Sequence, residues 1–154
     1  MASFAVKFLG CKVSQADAML ARRALLAAGH IEVPESEAEL HVINTCCITG
    51  EAEAKSRQSV RRSLRTAQQV FVGGCAVNLN AERFGEIDER VTPFVGTADD
   101  VAAAMGAVDD LGCVDLHHDV LARERMQGPH GPAARTRGFV KVQDGCDGDC
   151  AYCI

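Results

Sequence analysis

Three short apolar runs that each end in a cysteine limit the possible folds of this chain more than any other feature. The runs are FAVKFLGC, LHVINTC and QQVFVGGC, and they end at Cys11, Cys46 and Cys75. Residues such as Val, Ile and Phe favour strands, and segments with helical periodicity separate the runs. Strands that alternate with helices predict an α/β fold, an open parallel sheet with helices on both faces.

The helical segments carry start and stop signals. Ser14 and Asp17 resemble a capping box, which predicts Ser14 as the N-cap of the first helix, and Gly29 is placed to end that helix. Pro93 predicts an edge position for its strand. The predicted strands are 4–9, 31–33, 40–44, 69–72, 91–95, 113–116 and 138–143, and the predicted helices are 14–28, 52–67, 77–84 and 99–108.

The three cysteines at strand ends predict a common site. Ligand sites in open parallel sheets form beyond the carboxyl ends of the strands, so Cys11, Cys46 and Cys75 are expected at one edge. One buried cysteine is ordinary packing, but three in equivalent positions favour a thiolate site for a metal or a cluster. Cys47 is expected to be spare, because adjacent side chains point in different directions, and Cys113 is expected to be structural.

Composition limits the kinds of site that the eight cysteines can form. The formal net charge is −5, so the whole chain is no polycation. No apolar run approaches the roughly 20 residues of a membrane span, and the first residues lack the pattern of a secretory signal. These features predict a cytoplasmic protein, where thiols stay reduced and metal or cluster ligation is a better interpretation than disulfides.

A second cysteine group ends the sequence, with Cys146, Cys150 and Cys153 in the spacing C-x-x-x-C-x-x-C. A cubane iron–sulfur cluster has four irons, each usually held by one thiolate, so three cysteines leave one iron open. Structural zinc usually takes four protein ligands, often in paired C-x-x-C motifs. Zinc binding, or thiol redox chemistry at Cys150 and Cys153, remains an alternative.

The chain resembles the radical S-adenosylmethionine methylthiotransferases in five motifs, which occur in order. The motifs are LGCKVSQAD, VINTCCIT, EAKSRQSVRR, VGGC and FVKVQDGCDGDCAYCI. The resemblance implies a methylthiotransferase N-terminal domain at 1–116, a linker at 117–136 and the first strand and cluster loop of a radical S-adenosylmethionine β/α barrel at 137–154. Family members continue through the barrel, so we expect a truncated chain that is inactive alone.

The same resemblance implies two 4Fe–4S clusters. Cys11, Cys46 and Cys75 would hold one; Cys146, Cys150 and Cys153 would hold the other, which binds S-adenosylmethionine, and Tyr152 would lie near its adenine. The beginning GCKVSQAD resembles the branch that adds a methylthio group to C2 of N6-threonylcarbamoyladenosine beside the tRNA anticodon, although that branch usually has Asn where Ser14 stands.

The implied partners are tRNA and an electron donor protein. The isopentenyladenosine branch and a non-catalytic iron–sulfur or zinc-binding module remain alternatives. Arg57, Arg61 and Arg65 share one helix face, which could meet tRNA phosphates or be an ordinary solvated face.

Overall fold

The computed structural model of the chain describes residues 1–95, together with Gly148 and Ala151. Within residues 1–95, strands and helices alternate along the chain. The elements are β1 (Ser3–Phe8), α1 (Lys12–Ala27), β2 (Ile31–Glu32), β3 (Leu40–Thr45), α2 (Gly50–Ser63), β4 (Gln69–Gly74), α3 (Cys75–Leu79), α4 (Glu82–Gly85) and β5 (Val91–Pro93).

The five strands of this region form one sheet in the order β2-β1-β3-β4-β5, and each pair is parallel. The predicted open parallel sheet is therefore confirmed. The elements predicted at 99–108, 113–116 and 138–143 lie outside the described residues, as do the linker at 117–136 and, except for Gly148 and Ala151, the barrel start at 137–154.

Helices cover both faces of the sheet, as predicted. Because successive strand residues point to opposite faces, Val42 packs toward α1 while its neighbour Ile43 packs toward α2. The core on the α1 side contains Phe4, Ala21, Leu25, Val42 and Phe71. The core on the other side contains Ile43, Val60, Ala67, Val70, Val72, Ala76, Val77, Phe84 and Val91. Each large apolar side chain buried there contributes about 1.5–3 kcal/mol.

The register of the central strands aligns their carboxyl ends. Strands β1, β3 and β4 are neighbours, and Asn44 of β3 pairs with Phe8 on one side and with Gly73 on the other. The last pair between β3 and β4 is Thr45 with Gly74. Cys46 and Cys75 directly follow this pair, so both leave the sheet at the same level.

The prediction that Ser14 caps the first helix is wrong. Helix α1 begins at Lys12 with Cys11 at the N-cap, and Ser14 is buried in the first turn. Gly10 has a φ of +117°, which lets the chain turn sharply after β1 and start the helix earlier than the capping-box pattern indicates. The predicted role of Gly29 is confirmed: its φ is +81°, and its N–H donates to the Leu26 carbonyl oxygen over 3.1 Å.

Two further helix boundaries differ from the sequence prediction. Helix α2 begins at Gly50, and its N-cap Thr49 accepts a hydrogen bond at Oγ1 from the Ala52 N–H over 3.1 Å. The single helix predicted at 77–84 is two short helices, α3 and α4. Asn80 lies between them, and its side-chain oxygen accepts from the Arg83 N–H over 3.1 Å, which favours a new helical start. Pro93 lies on β5, which is an edge strand of the sheet formed within residues 1–95, as predicted.

Candidate metal centre

Four cysteines lie at the carboxyl ends of the three central strands, and we call this group the thiol edge. Its members are Cys11, Cys46, Cys47 and Cys75, all with free thiols. Cys11 and Cys75 are exposed, Cys47 is half-buried, and Cys46 is only 4 % exposed. The structure thus brings the three cysteines predicted from the strand ends to one edge of the sheet, with Cys47 beside them.

Close packing against Gly10 fixes the side chain of Cys46. A Cβ placed on Gly10 would lie 2.7 Å from the Cys46 Cβ and 2.8 Å from its Sγ. These distances are below any normal carbon contact, and the φ of Gly10 lies in the region that favours glycine. The end of β1 can therefore pass directly over Cys46 only because residue 10 has no side chain.

Asn44 connects the start of α1 with the turn before Cys75. Its Nδ2 donates to the Ser14 carbonyl oxygen over 3.0 Å. On the other side lies Gly74, with a φ of +93°, and a Cβ on Gly74 would lie 1.9 Å from the Asn44 Oδ1. That oxygen is buried without a hydrogen-bond partner among the described residues. The buried amide of Asn44 thus lies between the segment that carries Cys11 and the segment that carries Cys75, and it sets the distance between them.

The thiols differ in how readily they lose a proton. The pKa of Cys11 is lowered, first because the Ser14 backbone N–H in the first turn of α1 faces its sulfur. The pKa of Cys75 is raised; although the residue is exposed, partial burial of its thiol is the largest cause, followed by the negative charges of Cys11 and Cys46. Burial also raises the pKa of Cys47, with Cys75 as the next cause.

The donor set of the thiol edge suits a cationic centre. Thiolates that repel one another are stabilised by a nearby cation. Within residues 1–95, no three His, Cys, Asp or Glu side chains are arranged to hold one metal ion. A zinc ion needs its sulfurs at about 2.3 Å, whereas a cubane distributes its thiolates over four irons. The donor type of the thiol edge therefore suits an iron–sulfur cluster.

Sequence reasoning did not detect several groups that build this edge. Cys47 lies at the same edge as Cys75, half-buried against the core on the α2 side. Ser56 is a buried polar residue that holds the backbone of Cys46. The pair Cys46-Cys47 was the one available signal for a fourth thiol. The other predicted site residues, Cys146, Cys150, Tyr152 and Cys153, lie outside the described residues.

The arginine strip of α2 does not lie at this edge. Helix α2 follows β3 and precedes the parallel strand β4, so it runs back toward the amino ends of the strands. Arg61 and Arg65 are exposed near its carboxyl end, while Arg57 forms an ion pair with Glu53. These positions favour an ordinary solvated face over a contact with a ligand at the thiol edge.

The chain belongs to Uncharacterized protein family UPF0004, whose model matches residues 3–96. It is 31 % identical over 156 residues to the threonylcarbamoyladenosine tRNA methylthiotransferase MtaB of Chlamydia pneumoniae, a match that covers 99 % of this chain and 34 % of the relative. It is 29 % identical over 165 residues to the tRNA-2-methylthio-N(6)-dimethylallyladenosine synthase of Oleidesulfovibrio alaskensis. This match covers 99 % of this chain and 35 % of the relative.

A third relative is the ribosomal protein uS12 methylthiotransferase RimO of Gloeobacter violaceus, which is 29 % identical over 164 residues, with 99 % of this chain and 36 % of the relative covered. The resemblance to methylthiotransferases is therefore confirmed at the family level. The chain spans about a third of the length of these curated relatives. Among the helices of the described residues, none is long and apolar enough to cross a membrane.

Proposed function

We propose that this chain is the N-terminal part of a tRNA methylthiotransferase that acts on C2 of N6-threonylcarbamoyladenosine next to the anticodon. The observation that carries the proposal is the delivery of Cys11, Cys46 and Cys75 to one edge by three neighbouring parallel strands. Two relatives named for threonylcarbamoyladenosine, at 31 % and 25 % identity, support the choice of branch.

Two groups of cysteines would hold the cofactors. Cys11, Cys46 and Cys75 would ligate one 4Fe–4S cluster. Cys146, Cys150 and Cys153 would ligate a second that binds S-adenosylmethionine, with Tyr152 beside the adenine. When bound, these groups would supply the sulfur, the methyl group and the radical chemistry of the transfer. The proposed partners are tRNA and an electron donor protein, and the proposed location is the cytoplasm.

The residues of the sheet edge would bind and orient the first cluster. The N–H groups of the first turn of α1 favour the thiolate of Cys11, the form that binds metal. Cys46 is held by Gly10 and Ser56, so little conformational freedom is lost when it becomes a ligand. Cys75 is exposed at the start of α3. Buried Asn44 keeps the segments of Cys11 and Cys75 at a fixed spacing.

The ligand assignment is tested by cluster reconstitution. The 154-residue chain in which Cys146, Cys150 and Cys153 are replaced by Ala, called here the triplet-free chain, would be incubated with iron and sulfide without oxygen. We expect about four bound irons per chain. In this chain, a single replacement of Cys11, Cys46 or Cys75 by Ala should remove most of the bound iron. It should also remove most of the visible absorption of the cluster.

Cys113→Ala in the triplet-free chain is the matched control, since it removes a cysteine that is not assigned to either cluster. It should bind as much iron as its parent. Iron binding that survives the loss of Cys11, Cys46 and Cys75 would refute the assignment. Stoichiometric zinc in place of iron would instead favour a zinc-binding module.

The substrate branch is tested in the organism that carries the gene. We expect its disruption to remove the methylthio group from N6-threonylcarbamoyladenosine, measured by mass spectrometry of nucleosides from purified tRNA. Loss from isopentenyladenosine instead would assign the chain to the other tRNA branch. Unchanged methylthio nucleosides of both kinds would refute the tRNA proposal.

A further inference from the structure

A polar cluster lies near the amino end of β3, at the opposite end of that strand from the thiol edge. There the chain passes β1 on its way from β2 to β3, and we call this segment, residues 33–39, the strap. At its first residue, the Val33 N–H donates to the Phe4 carbonyl oxygen over 3.0 Å. At its last residue, the Glu39 N–H donates to the Ser3 Oγ over 3.1 Å. Both ends of the strap are thus attached to β1.

Between these ends, Glu35 holds the strap against the sheet. Its carbonyl oxygen accepts a hydrogen bond from the ring of His41, on β3, over 3.0 Å. Its carboxylate forms an ion pair with the Lys7 ammonium of β1, and Lys7 also donates to the Ser63 Oγ of α2 over 2.9 Å. The strap, β1, β3 and α2 therefore meet at one cluster.

The closed strap is compatible with only one protonation state of the His41 ring. A carbonyl oxygen can only accept, so the nitrogen that contacts Glu35, Nε2, carries the hydrogen. His41 is 0 % exposed, and its Nδ1 has no hydrogen-bond partner within residues 1–95. A second proton would turn Nδ1 into a buried donor without an acceptor, which is unfavourable. The closed strap therefore holds the ring in its neutral form.

Within residues 1–95, the surrounding charges do not remove this cost. The charged groups that influence the ring are Lys7 of β1 and Glu35 of the strap. The α2 residue of the cluster is a serine, and the residues paired with His41 in the sheet, Ala5 and Val70, are apolar. Burial is the largest influence on the pKa of His41 and lowers it. The hydrogen bond to the Glu35 carbonyl oxygen and the Glu35 charge raise this pKa, Lys7 lowers it, and the net effect is a lowering.

Movement of the strap is the least costly way to hydrate a charged ring at this position. The strap is irregular, whereas β1, β3 and α2 would each lose several backbone hydrogen bonds if they moved away. Segments with few such bonds open locally at a lower free energy than the core of a sheet. The ion pair of Glu35 is also partly solvated, since its side chain is 49 % exposed.

We propose that the strap is a pH-sensitive latch, which opens locally when the His41 ring takes up a proton, while the sheet stays folded. The proton comes from solvent, and water replaces the Glu35 carbonyl oxygen as the partner of Nε2 and hydrates Nδ1. The strap lies at the other end of β3 from Cys46, so the thiol edge keeps its arrangement when the strap is open. The latch does not depend on the proposed function.

Proton linkage sets the size of the effect. In the open strap the ring is hydrated and has a pKa of about 6.5, whereas the pKa in the closed strap is lower. The stability of the closed strap is therefore fully present above about pH 6.5 and is lost as the pH falls below it. Between pH 7.5 and 5.5, the equilibrium constant for opening should rise by up to about tenfold.

Amide hydrogen exchange measured by NMR on the reduced chain tests the latch. The hydrogen-bonded amides of Val33, Glu37 and Glu39 report on the strap, and the amides of β3 report on the sheet. Rates would be recorded at pH 7.5 and 5.5, with and without a low concentration of urea, and divided by the intrinsic exchange rate at each pH. The same measurements would be made on the His41→Gln and His30→Gln variants.

We expect the strap amides to exchange faster than those of β3, at a rate that low urea leaves nearly unchanged, because local opening exposes little surface. Their exchange should accelerate by up to about tenfold between pH 7.5 and 5.5. The His41→Gln variant keeps a side-chain N–H donor but has no titrating ring, so it should lose this acceleration. His30→Gln is the matched control, since it replaces the other histidine of residues 1–95, and it should keep the acceleration.

Strap amides that exchange only together with those of β3, at the same urea-dependent rate, would overturn the latch, because they would report unfolding of the whole domain. An undiminished acceleration in His41→Gln would overturn the role of His41. If His41→Gln does not fold, the unsubstituted chain still decides the question. Strap exchange that is independent of urea but unchanged between pH 7.5 and 5.5 would then refute the inference.

Discussion

The Ser56 hydroxyl on α2 accepts a hydrogen bond from the backbone N–H of Cys46 over 3.2 Å, and both residues are buried. The same hydroxyl can donate to the Ala52 carbonyl oxygen, 2.9 Å from its Oγ, or to the Cys46 carbonyl oxygen, 3.3 Å away. The first residue beyond β3 is therefore fixed by a side chain of the following helix and not by the sheet.

Replacement of Ser56 by Ala should destabilise the domain measurably. The Cys46 N–H would remain buried without an acceptor, and an unsatisfied buried donor costs about 1–3 kcal/mol. Urea unfolding followed by circular dichroism measures the change. Ser59→Ala removes a hydroxyl from a half-buried position of the same helix and should change the stability by less than about 0.5 kcal/mol. Equal effects of both substitutions would contradict the role of Ser56.

Gly10→Ala should damage the site more than the same change at Gly29. Both glycines have positive φ angles, +117° and +81°, so both substitutions introduce backbone strain of about 1–2 kcal/mol. Only at Gly10 would the new methyl group collide with Cys46, since nothing lies within 4 Å of a Cβ at Gly29.

We therefore expect Gly10→Ala to be the less stable variant in urea unfolding and to lose reconstituted iron, while Gly29→Ala retains its iron. Normal iron content in a folded Gly10→Ala chain would show that the position of Cys46 tolerates displacement.

Asn44→Asp should destabilise the domain in a pH-dependent manner. The substitution is nearly isosteric, but it replaces a buried amide that donates to Ser14 by a carboxylate facing that carbonyl oxygen. Burial would raise the pKa of this carboxyl in the folded state. The loss of stability should therefore be smallest at acidic pH and should grow as the pH rises through and above about 4.

Unfolding free energies at pH 4.5 and 7.5 measure this difference. At neutral pH we expect a loss of more than about 1–3 kcal/mol, because the unsatisfied group is charged. Asn78→Asp, at an exposed position of α3, is the control and should stay close to the unsubstituted chain. A loss in Asn44→Asp that is independent of pH would exclude a buried carboxylate.

The buried ring of His41 should make the domain less stable in mild acid. Burial lowers the pKa of His41 below 6.5, against the effect of a hydrogen bond to the Glu35 carbonyl oxygen; Lys7 lowers it further and the Glu35 charge raises it. The unfolded chain then binds a proton more readily than the folded chain, so the unfolding free energy should fall as the pH drops below about 6.5.

The His41→Gln variant has no titrating ring at this position and should lose less stability between pH 7.5 and pH 5.5. The difference between the two slopes should approach, and not exceed, about 1.4 kcal/mol per pH unit. Urea unfolding at several pH values measures it. Parallel pH profiles for the two proteins would contradict the assignment to His41.

The parallel sheet and the position of the three cysteines at one edge could be predicted from the sequence for a physical reason. The central strands are apolar on both faces, so β1, β3 and β4 were predicted as strands within a residue or two, and parallel neighbours place their carboxyl ends at one edge. The start of α1 was mispredicted because the sharp turn at Gly10 outweighs the local capping pattern of Ser14 and Asp17.

The supporting residues could not be found in this way. Ser56 is polar, and in a sequence it suggests a helix surface. Its role depends on the backbone of Cys46, which only the folded sheet brings near it. The position of Cys47 at the same edge as Cys75 likewise depends on the register of β3 against β4, which the sequence pattern does not specify.

The placement of the cysteines on three separate parallel strands has a consequence for the order of maturation. A crossover helix joins each neighbouring pair of these strands, so no local stretch of nascent polypeptide presents all three cysteines together. If these cysteines hold a cluster as proposed, its full set of ligands comes together only once the sheet has formed.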